Sequence, residues 1–340
     1  MRAFSSLLIL LVSILSYPNS NYPKNHTAIG NHPSIAKRYK NPIIATSLPD
    51  PTVMKAPDGY FYLYATEDIR NVPIYRSKDL VNWKFVGTAF TDVSRPTFVR
   101  KGGIWAPDIH YINGKYVLYY AMSRWGEEWN CGVGVATADK PSGPFMDKGK
   151  LFIGKEIHIQ NCIDPFYIED GGKKFLFWGS FRGIYGTQLN DDGLSLKANS
   201  PIIQIAGTAM EATYIFKRGK YYYLFGSNGT CCEGLKSTYR IIYARSTSLF
   251  GPYLSKDGKK ILENNFEVLI HKSDKFVGTG HNAEFITDDK GNDWIIYHAY
   301  QANDPDVGRI VMMDHVQWIN DWPSVSNTIP SNESNVPYFK

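Results

Sequence analysis

Five times along this chain an acidic or amide residue opens an apolar run, a tight polar turn reverses it, and a strand dense in Tyr, Phe, Leu and Trp returns. The segments are Asp50–Thr66, Asp108–Ser123, Asp164–Phe181, Glu211–Asn228 and Asn282–Tyr300. Their turns read APDG, NG, DGGK, KRGK and DDKGN. Turns of this kind between alternating apolar runs are hairpin signals, because Gly, Asn and Asp accept the positive φ that a tight reversal needs. Successive hairpins start roughly 50 to 70 residues apart, enough for one four-stranded unit each. Between the hairpins, SKDLVNW (Ser77–Trp83) is echoed loosely by STSLFGPY (Ser246–Tyr253), which ADKPSGPF (Ala138–Phe145) also resembles. These segments read as turns at the outer edge of each unit. No stretch sustains a period of 3.6. The fold class predicted is therefore all-β, a five-bladed β-propeller in one domain over residues 41–340. A pair of all-β sandwich domains is the competing architecture.

The N-terminus reads as a secretory signal over residues 1–21. Arg2 supplies a positive start, Leu7–Leu15 an apolar stretch too short to span a bilayer, and Ser16, Pro18 and Ser20 follow. No Cys follows that stretch closely, which argues against a lipid anchor. Residues 22–40, rich in Pro, Asn, His and Lys, read as a flexible leader. The protein is thus expected in a periplasm or outside the cell. The net charge of +5 comes from scattered residues, so no nucleic-acid or membrane patch is expected. Four cysteines, Cys131, Cys162, Cys231 and Cys232, permit disulfides in an oxidising compartment. Their pairing stays open, and adjacency argues against a bridge between Cys231 and Cys232.

Three of the hairpins open on an acid in a similar setting: Asp50 in LPDPTV, Asp164 in CIDPFY and Glu211 in MEATYI. Repeats arranged around an axis carry equivalent residues to one place. Asp50, Asp108, Asp164, Glu211 and the pair Asn282/Glu284 should then ring one cavity. Converging carboxyls suit acid/base chemistry, and hydrolysis of a glycosidic bond needs two of them.

In order along the chain, LPDPTV, IWAPDIHY, CIDPFY, MEATYI and TGHNAEF resemble the motifs of glycoside hydrolase family 43. The resemblance runs from about Ile43 to Val325. Each short motif is weak alone, while five in order, each opening a hairpin, are specific. The resemblance implies a five-bladed propeller acting on arabinan or related pentose polysaccharides of plant cell walls, with inversion at the anomeric carbon. It makes Asp50 the general base, Glu211 the general acid and Asp164 the residue that orients the acid and tunes its pKa. It also implies that His281 faces a metal ion in the channel, often calcium, with a structural or tuning role. Many arabinanases carry His before the first Asp, where this chain has Pro49.

In the inverting mechanism the base activates water on one face of the sugar and the acid protonates the leaving oxygen on the other, about 6.5–9.5 Å away. Glu211 must hold a proton near neutral pH. The charge of Asp164 and the apolar neighbours Met210 and Ala212 should raise its pKa. Trp105 is a candidate stacking platform for the sugar, Trp125 and Trp129 candidate cleft walls, and Arg309 a candidate anchor for a hydroxyl or a carboxylate. His298 is a further candidate. The expected activity is an endo-acting α-1,5-L-arabinanase working as a monomer. An exo-acting α-L-arabinofuranosidase or β-xylosidase is the alternative, and a carbohydrate-binding propeller without catalysis the alternative of another class. No nucleophile elbow, P-loop or dinucleotide fingerprint is present.

Overall fold

The computed structural model describes residues 37–340. The expected signal and most of the expected leader fall outside the described residues. The end of that leader is structured: β1 (Arg38–Lys40) pairs with β23 (Glu333–Asn335), described below.

Five antiparallel sheets follow in chain order. Blade 1 is β2 (Thr52–Lys55), β3 (Phe61–Tyr64), β4 (Pro73–Ser77) and β5 (Lys84–Thr88). Blade 2 is β6 (Gly103–Ile112), β7 (Lys115–Ser123), β8 (Gly132–Ala138) and β9 (Met146–Ile153). Blade 3 is β10 (Phe166–Asp170), β11 (Lys173–Trp178), β12 (Ile184–Gln188) and β13 (Ile203–Ala206). Blade 4 is β14 (Glu211–Arg218), β15 (Tyr221–Asn228), β16 (Arg240–Ser246) and β17 (Glu267–Ile270). In blade 5 the innermost strand is split into β18 (Phe276–Gly280) and β19 (Ile286–Thr287), both paired with β20 (Asp293–Gln301). β21 (Arg309–Ile319) and β22 (Trp322–Ser324) complete that blade, and β23 (Glu333–Asn335) ends the chain. The five predicted hairpins are the first two strands of the five blades, and the three edge motifs connect the third strand of a blade to its fourth.

The second strands are buried on both faces because each lies between neighbouring blades. Phe61–Tyr64 and the run from Tyr116 to Ser123 have no exposed residue. Aromatic residues fill these joints. Tyr64, Phe90, Tyr120 and Phe145 pack between blades 1 and 2, and Tyr119, Tyr167 and Trp178 between blades 2 and 3. Phe177, Tyr214, Phe225 and Phe285 serve blades 3, 4 and 5. This accounts for most of the aromatic residues that the hairpins carry.

The ring closes between blades 1 and 5. Ile43 N–H donates to the Val311 carbonyl (2.9 Å), Val311 N–H to Ile44 (3.0 Å) and Leu48 N–H to Arg309 (2.9 Å). The Asn41 side chain donates to the carbonyls of Met313 (2.8 Å) and Ser331 (3.0 Å) and accepts from Met313 N–H (3.0 Å). Tyr39, Ile44 and Leu48 pack with Phe61 and Leu63 of blade 1 and with Ile296 and Met313 of blade 5.

Candidate active site

Each innermost strand is entered through a residue with positive φ: Asp50 (54°), Ala106 (41°), Asp164 (55°), Ala212 (59°) and His281 (45°). This left-handed step costs an L-residue about 1–2 kcal/mol, and its recurrence at the same place in all five blades marks the rim of the site. The step sets the true register of the repeat. Asp50 and Asp164 occupy it, Glu211 precedes it, and Asp108 lies two residues beyond it.

One cleft of about 290 Å³ gathers six of the residues that the sequence put forward: Asp50, Trp105, Asp164, Glu211, His281 and Arg309 all line it. Thr66, Ser123, Trp125, Ser180, Phe181, Cys231 and Cys232 line it too. Asp108 and Glu284 do not. They sit deeper in the channel with His110, whose Nε2 is 2.9 Å from Asp108 and 3.7 Å from Glu284. Thr52 and Val53 N–H donate to Glu284, and Tyr167 N–H donates to Asp108. Asn282 likewise does not line the cleft. Trp129 is absent from the cleft wall as well, whereas Trp125 is 76% exposed there.

Asp50 is held as an anion. Arg309 donates to its Oδ1 at 2.9 Å and the Thr66 hydroxyl to its Oδ2 at 2.6 Å. His281 Nδ1 lies 3.3 Å from Oδ1. Burial alone would raise its pKa, but the charges of Arg309 and His281 and the hydrogen bond with His281 outweigh that and hold it well below the usual carboxylate range. His298 is fully buried, and burial together with Arg309 pushes its pKa far down, so it is neutral. Its Nδ1 accepts the Asp50 N–H at 3.0 Å. The 3.3 Å approach of the same nitrogen to Asp50 Oδ1 is therefore a by-product of that bond and not an ion pair.

Asp164 and Glu211 hold on to protons. Burial pushes Asp164 up to about 7, with Glu211 and Asp50 adding to the shift and His281 opposing it. Burial raises Glu211 as well, against hydrogen bonds from Ser180 (2.5 Å) and Tyr239 (2.6 Å) and the charge of His281. The two carboxyls influence one another, so their first proton belongs to the pair. Asp164 accepts the Ala212 N–H at 3.0 Å, a bond that favours its ionised form. Both Glu211 oxygens face hydroxyls, which can turn to accept a proton from a neutral carboxyl. As donors, however, Ser180 and Tyr239 favour ionised Glu211 just as Ala212 favours ionised Asp164, so the proton is shared by the pair. Of the two causes expected from the sequence, apolar surroundings and a neighbouring carboxylate, burial comes first for Glu211, and Asp50 adds to it.

Sequence reading missed the supporting groups Thr66, Ser180, Ser227, Tyr239 and the place of His298. A signal for four of them was present. Each aromatic second strand ends on a polar residue, namely Thr66, Ser123, Ser180, Ser227 and His298. Thr66 serves Asp50, Ser180 serves Glu211, Ser227 accepts the His281 N–H at 2.8 Å and His298 accepts that of Asp50. Tyr239 begins the third strand region of blade 4 and has no counterpart in the motifs.

Calcium prefers several oxygen ligands. His281 can offer it one imidazole nitrogen, Nε2, and only as the neutral ring, because Nδ1 faces Asp50; the three nearby carboxyls that outweigh burial and raise its pKa oppose that form. Among the described residues the one group whose donor atoms converge within 4.8 Å is Asp108, His110 and Glu284. That group satisfies itself: Asp108 holds His110 charged against burial, and burial with Asp108 pushes Glu284 up to about 8.

The cysteines pair against expectation. Cys231 is bridged to Cys232, while Cys131 and Cys162 are buried thiols. Trp105 can lie along the cleft because Gly103 has no side chain: a Cβ there would come within 2.5 Å of the indole nitrogen. Its ring centroid is 5.5 Å from that of Trp125.

Three comparisons with known proteins bear on the family and the fold. The family model described as "Glycosyl hydrolases family 43" matches residues 39–323. The chain is 34% identical over 291 residues to an extracellular endo-α-(1→5)-L-arabinanase of Bacillus subtilis, covering 82% of this chain and 87% of the other. It is 32% identical over 304 residues to an extracellular exo-α-(1→5)-L-arabinofuranosidase of Cellvibrio japonicus, covering 81% and 85%. Among solved structures, the α-L-arabinanase of Cellvibrio cellulosa complexed with arabinohexaose matches with a TM-score of 0.75 at 30% identity, covering 84% of this chain and 98% of that one.

Proposed function

The chain belongs to glycosyl hydrolase family 43, and from that premise we propose that it is an inverting endo-α-1,5-L-arabinanase. The observation that carries this reading is the division of labour in one cleft. Asp50 is clamped as an anion by Arg309 and Thr66, while burial raises the pKa of both Asp164, to about 7, and Glu211. A base and an acid with pKa values pushed apart are what inverting hydrolysis requires. In this reading Asp50 takes a proton from water as it attacks the anomeric carbon, and Glu211 gives its proton to the departing oxygen. Asp164 is a positioning residue, which keeps the pair's charge at one and anchors the backbone at Ala212. Arg309 fixes Asp50 and keeps it ionised.

Arabinan as substrate draws on the relatives, which are named for α-1,5-arabinan. Endo action draws on the aromatic wall. Trp105 and the exposed Trp125 continue it outward from the carboxyls, which suits several units of a chain better than one terminal sugar. The Cellvibrio japonicus relative is exo-acting, so exo action is the second reading. Product analysis on linear α-1,5-arabinan decides between them. A ladder of short oligosaccharides supports endo action, arabinose alone supports exo action, and turnover of xylosides only would overturn arabinan as the substrate. Glu211→Gln should lose about 10²- to 10⁴-fold on arabinan and much less on aryl glycosides with good leaving groups. Equal losses on both would remove Glu211 from the acid role.

We also propose that calcium, when bound, is held by His281 with water completing its shell, and supplies a positive charge that keeps Asp50 ionised. Reversible loss of activity on chelation, restored by calcium, supports this. Full activity in protein shown by elemental analysis to be metal-free overturns it. Secretion remains our proposal from the N-terminal segment; the relatives above are described as extracellular.

A further inference from the structure

One component of the cleft wall has no part in this chemistry. Cys231 and Cys232 are bridged to one another, and both line the cleft. A bridge between neighbours closes almost no loop, so it withdraws little entropy from the unfolded chain, unlike a bridge across a long one. Nor does it fill a core, because Cys231 is half-buried and Cys232 exposed. Stability does not account for it. The bridge ties two side chains and the peptide between them into one ring. It replaces two mobile thiols with a fixed, polarisable and largely apolar face.

The loop that carries this face is itself fastened. It leaves blade 4 at Gly229, whose φ is 100°, and a Cβ there would lie 2.5 Å from the Thr238 carbonyl oxygen, so the neck closes backbone against backbone. Across the neck, Thr230 N–H donates to the Thr238 hydroxyl (3.0 Å) and the Ser237 hydroxyl to the Thr230 carbonyl (2.6 Å). The returning chain begins with Tyr239, which bonds Glu211. The bridge is thus presented into the cleft from the same neck that supports the acid. The remaining apolar wall is Trp105, Trp125, Ile163 and Phe181. A pentose ring offers C–H faces that pack on apolar and polarisable surfaces, and a wall that is already rigid loses little freedom when the sugar arrives.

We propose that the Cys231–Cys232 ring is a saccharide-contacting wall of the cleft, against which one pentose unit of the bound chain lies. This rests on the reading of the cleft as a pentosan site. The test measures binding without turnover, by calorimetry in a Glu211→Gln background, with arabinohexaose and xylohexaose as probes. Three forms are compared: the bridge intact, Cys231→Ala with Cys232→Ala, and the bridge reduced by a phosphine. Because Cys131 and Cys162 are already thiols, the reductant has one bond to break, and the reduced form carries the test where the double variant does not fold. The dissociation constant for the bound hexasaccharide should rise about five- to twentyfold in both altered forms. In chains with Glu211 intact, the alkaline limb of the pH profile should stay in place. A moved limb with unchanged affinity would mean that the bridge only props Tyr239, and would overturn the inference. Unchanged affinity with an unmoved limb would overturn it too, while cleavage of arabinan by the unaltered protein would leave the proposed function standing. Loss of affinity for xylohexaose, with arabinohexaose unbound, supports the sugar wall and overturns arabinan as the substrate. Failure to bind either chain overturns both readings.

Discussion

At the residue scale, the site works by opposing two burials. Asp50 and Glu211 are both withdrawn from water, which raises any carboxyl pKa, yet only Asp50 is given a cation in contact. Glu211 is given two hydroxyls instead. The rate should therefore depend on pH through the Asp164–Glu211 pair. Both groups are raised, Asp164 to about 7, so their proton is present at low pH and lost on the alkaline side; activity should fall along that limb. Tyr239→Phe removes a donor that favours ionised Glu211, so the proton is held more tightly and the limb moves upward. A hydrogen bond to a charged group contributes about 1.5–3 kcal/mol, which corresponds to a shift of about one pH unit or more. The profile of kcat/KM on an aryl arabinofuranoside checks this, and a limb displaced downward would contradict the assignment of the proton. The three acids were legible in the sequence because each opens a hairpin in the same kind of motif. Tyr239 was not, since it reaches Glu211 from a different strand, 28 residues further on, and no local pattern records that meeting.

At the element scale, the five blades differ in what stands on one backbone step. The positive φ at Asp50, Ala106, Asp164, Ala212 and His281 turns the chain so that the residue at or just before the step faces the cleft. Sequence reading aligned the blades on acidic letters, which put Asp108 in the ring. Asp108 lies past a bulge between Trp105 and Asp108, and so its side chain meets His110 and Glu284 lower in the channel. The letters align with function only where the step carries an acid; the step itself is a property of the backbone. A β-branched side chain is poorly tolerated there. Ala212→Val should destabilise by about 1–3 kcal/mol and misplace Glu211 beside it, whereas Ala212→Gly should keep or raise stability. Thermal unfolding of the two variants, with activity measured alongside, tests this. A Val variant as stable as the parent would show that the step can relax without cost. The hairpins themselves were readable from turn chemistry and aromatic density. The seam strand β1 was not, since the three residues Arg38–Lys40 are too few to register as an alternating run, and they pair only with β23 from the far end of the chain.

At the scale of the whole molecule, stability depends on a ring that closes late in the chain. Asn41 makes three hydrogen bonds across the seam, to Met313 carbonyl and N–H and to the Ser331 carbonyl. Asn41→Ala removes these bonds, leaving the Met313 carbonyl only its bond from Tyr39 (2.7 Å), and should cost about 1–3 kcal/mol, lowering the unfolding midpoint by several degrees. The same change should lower activity below that midpoint, because the adjoining residues Leu48 and Ser47 bond the backbone of Arg309. Loss of stability with full activity would mean that the seam and the site are independent.

The clamp of Arg309 on Asp50 joins residues 259 positions apart. A chain emerging from its N-terminus carries Asp50, Asp164 and Glu211 long before it carries the guanidinium that keeps the first of them charged. On the reading proposed above, a fragment ending short of blade 5 has all three carboxyls but lacks the guanidinium that keeps the base ionised. Turnover is thus reserved for finished copies: the first and last parts of the message must both have been translated, and must have found each other, before a single bond is cut.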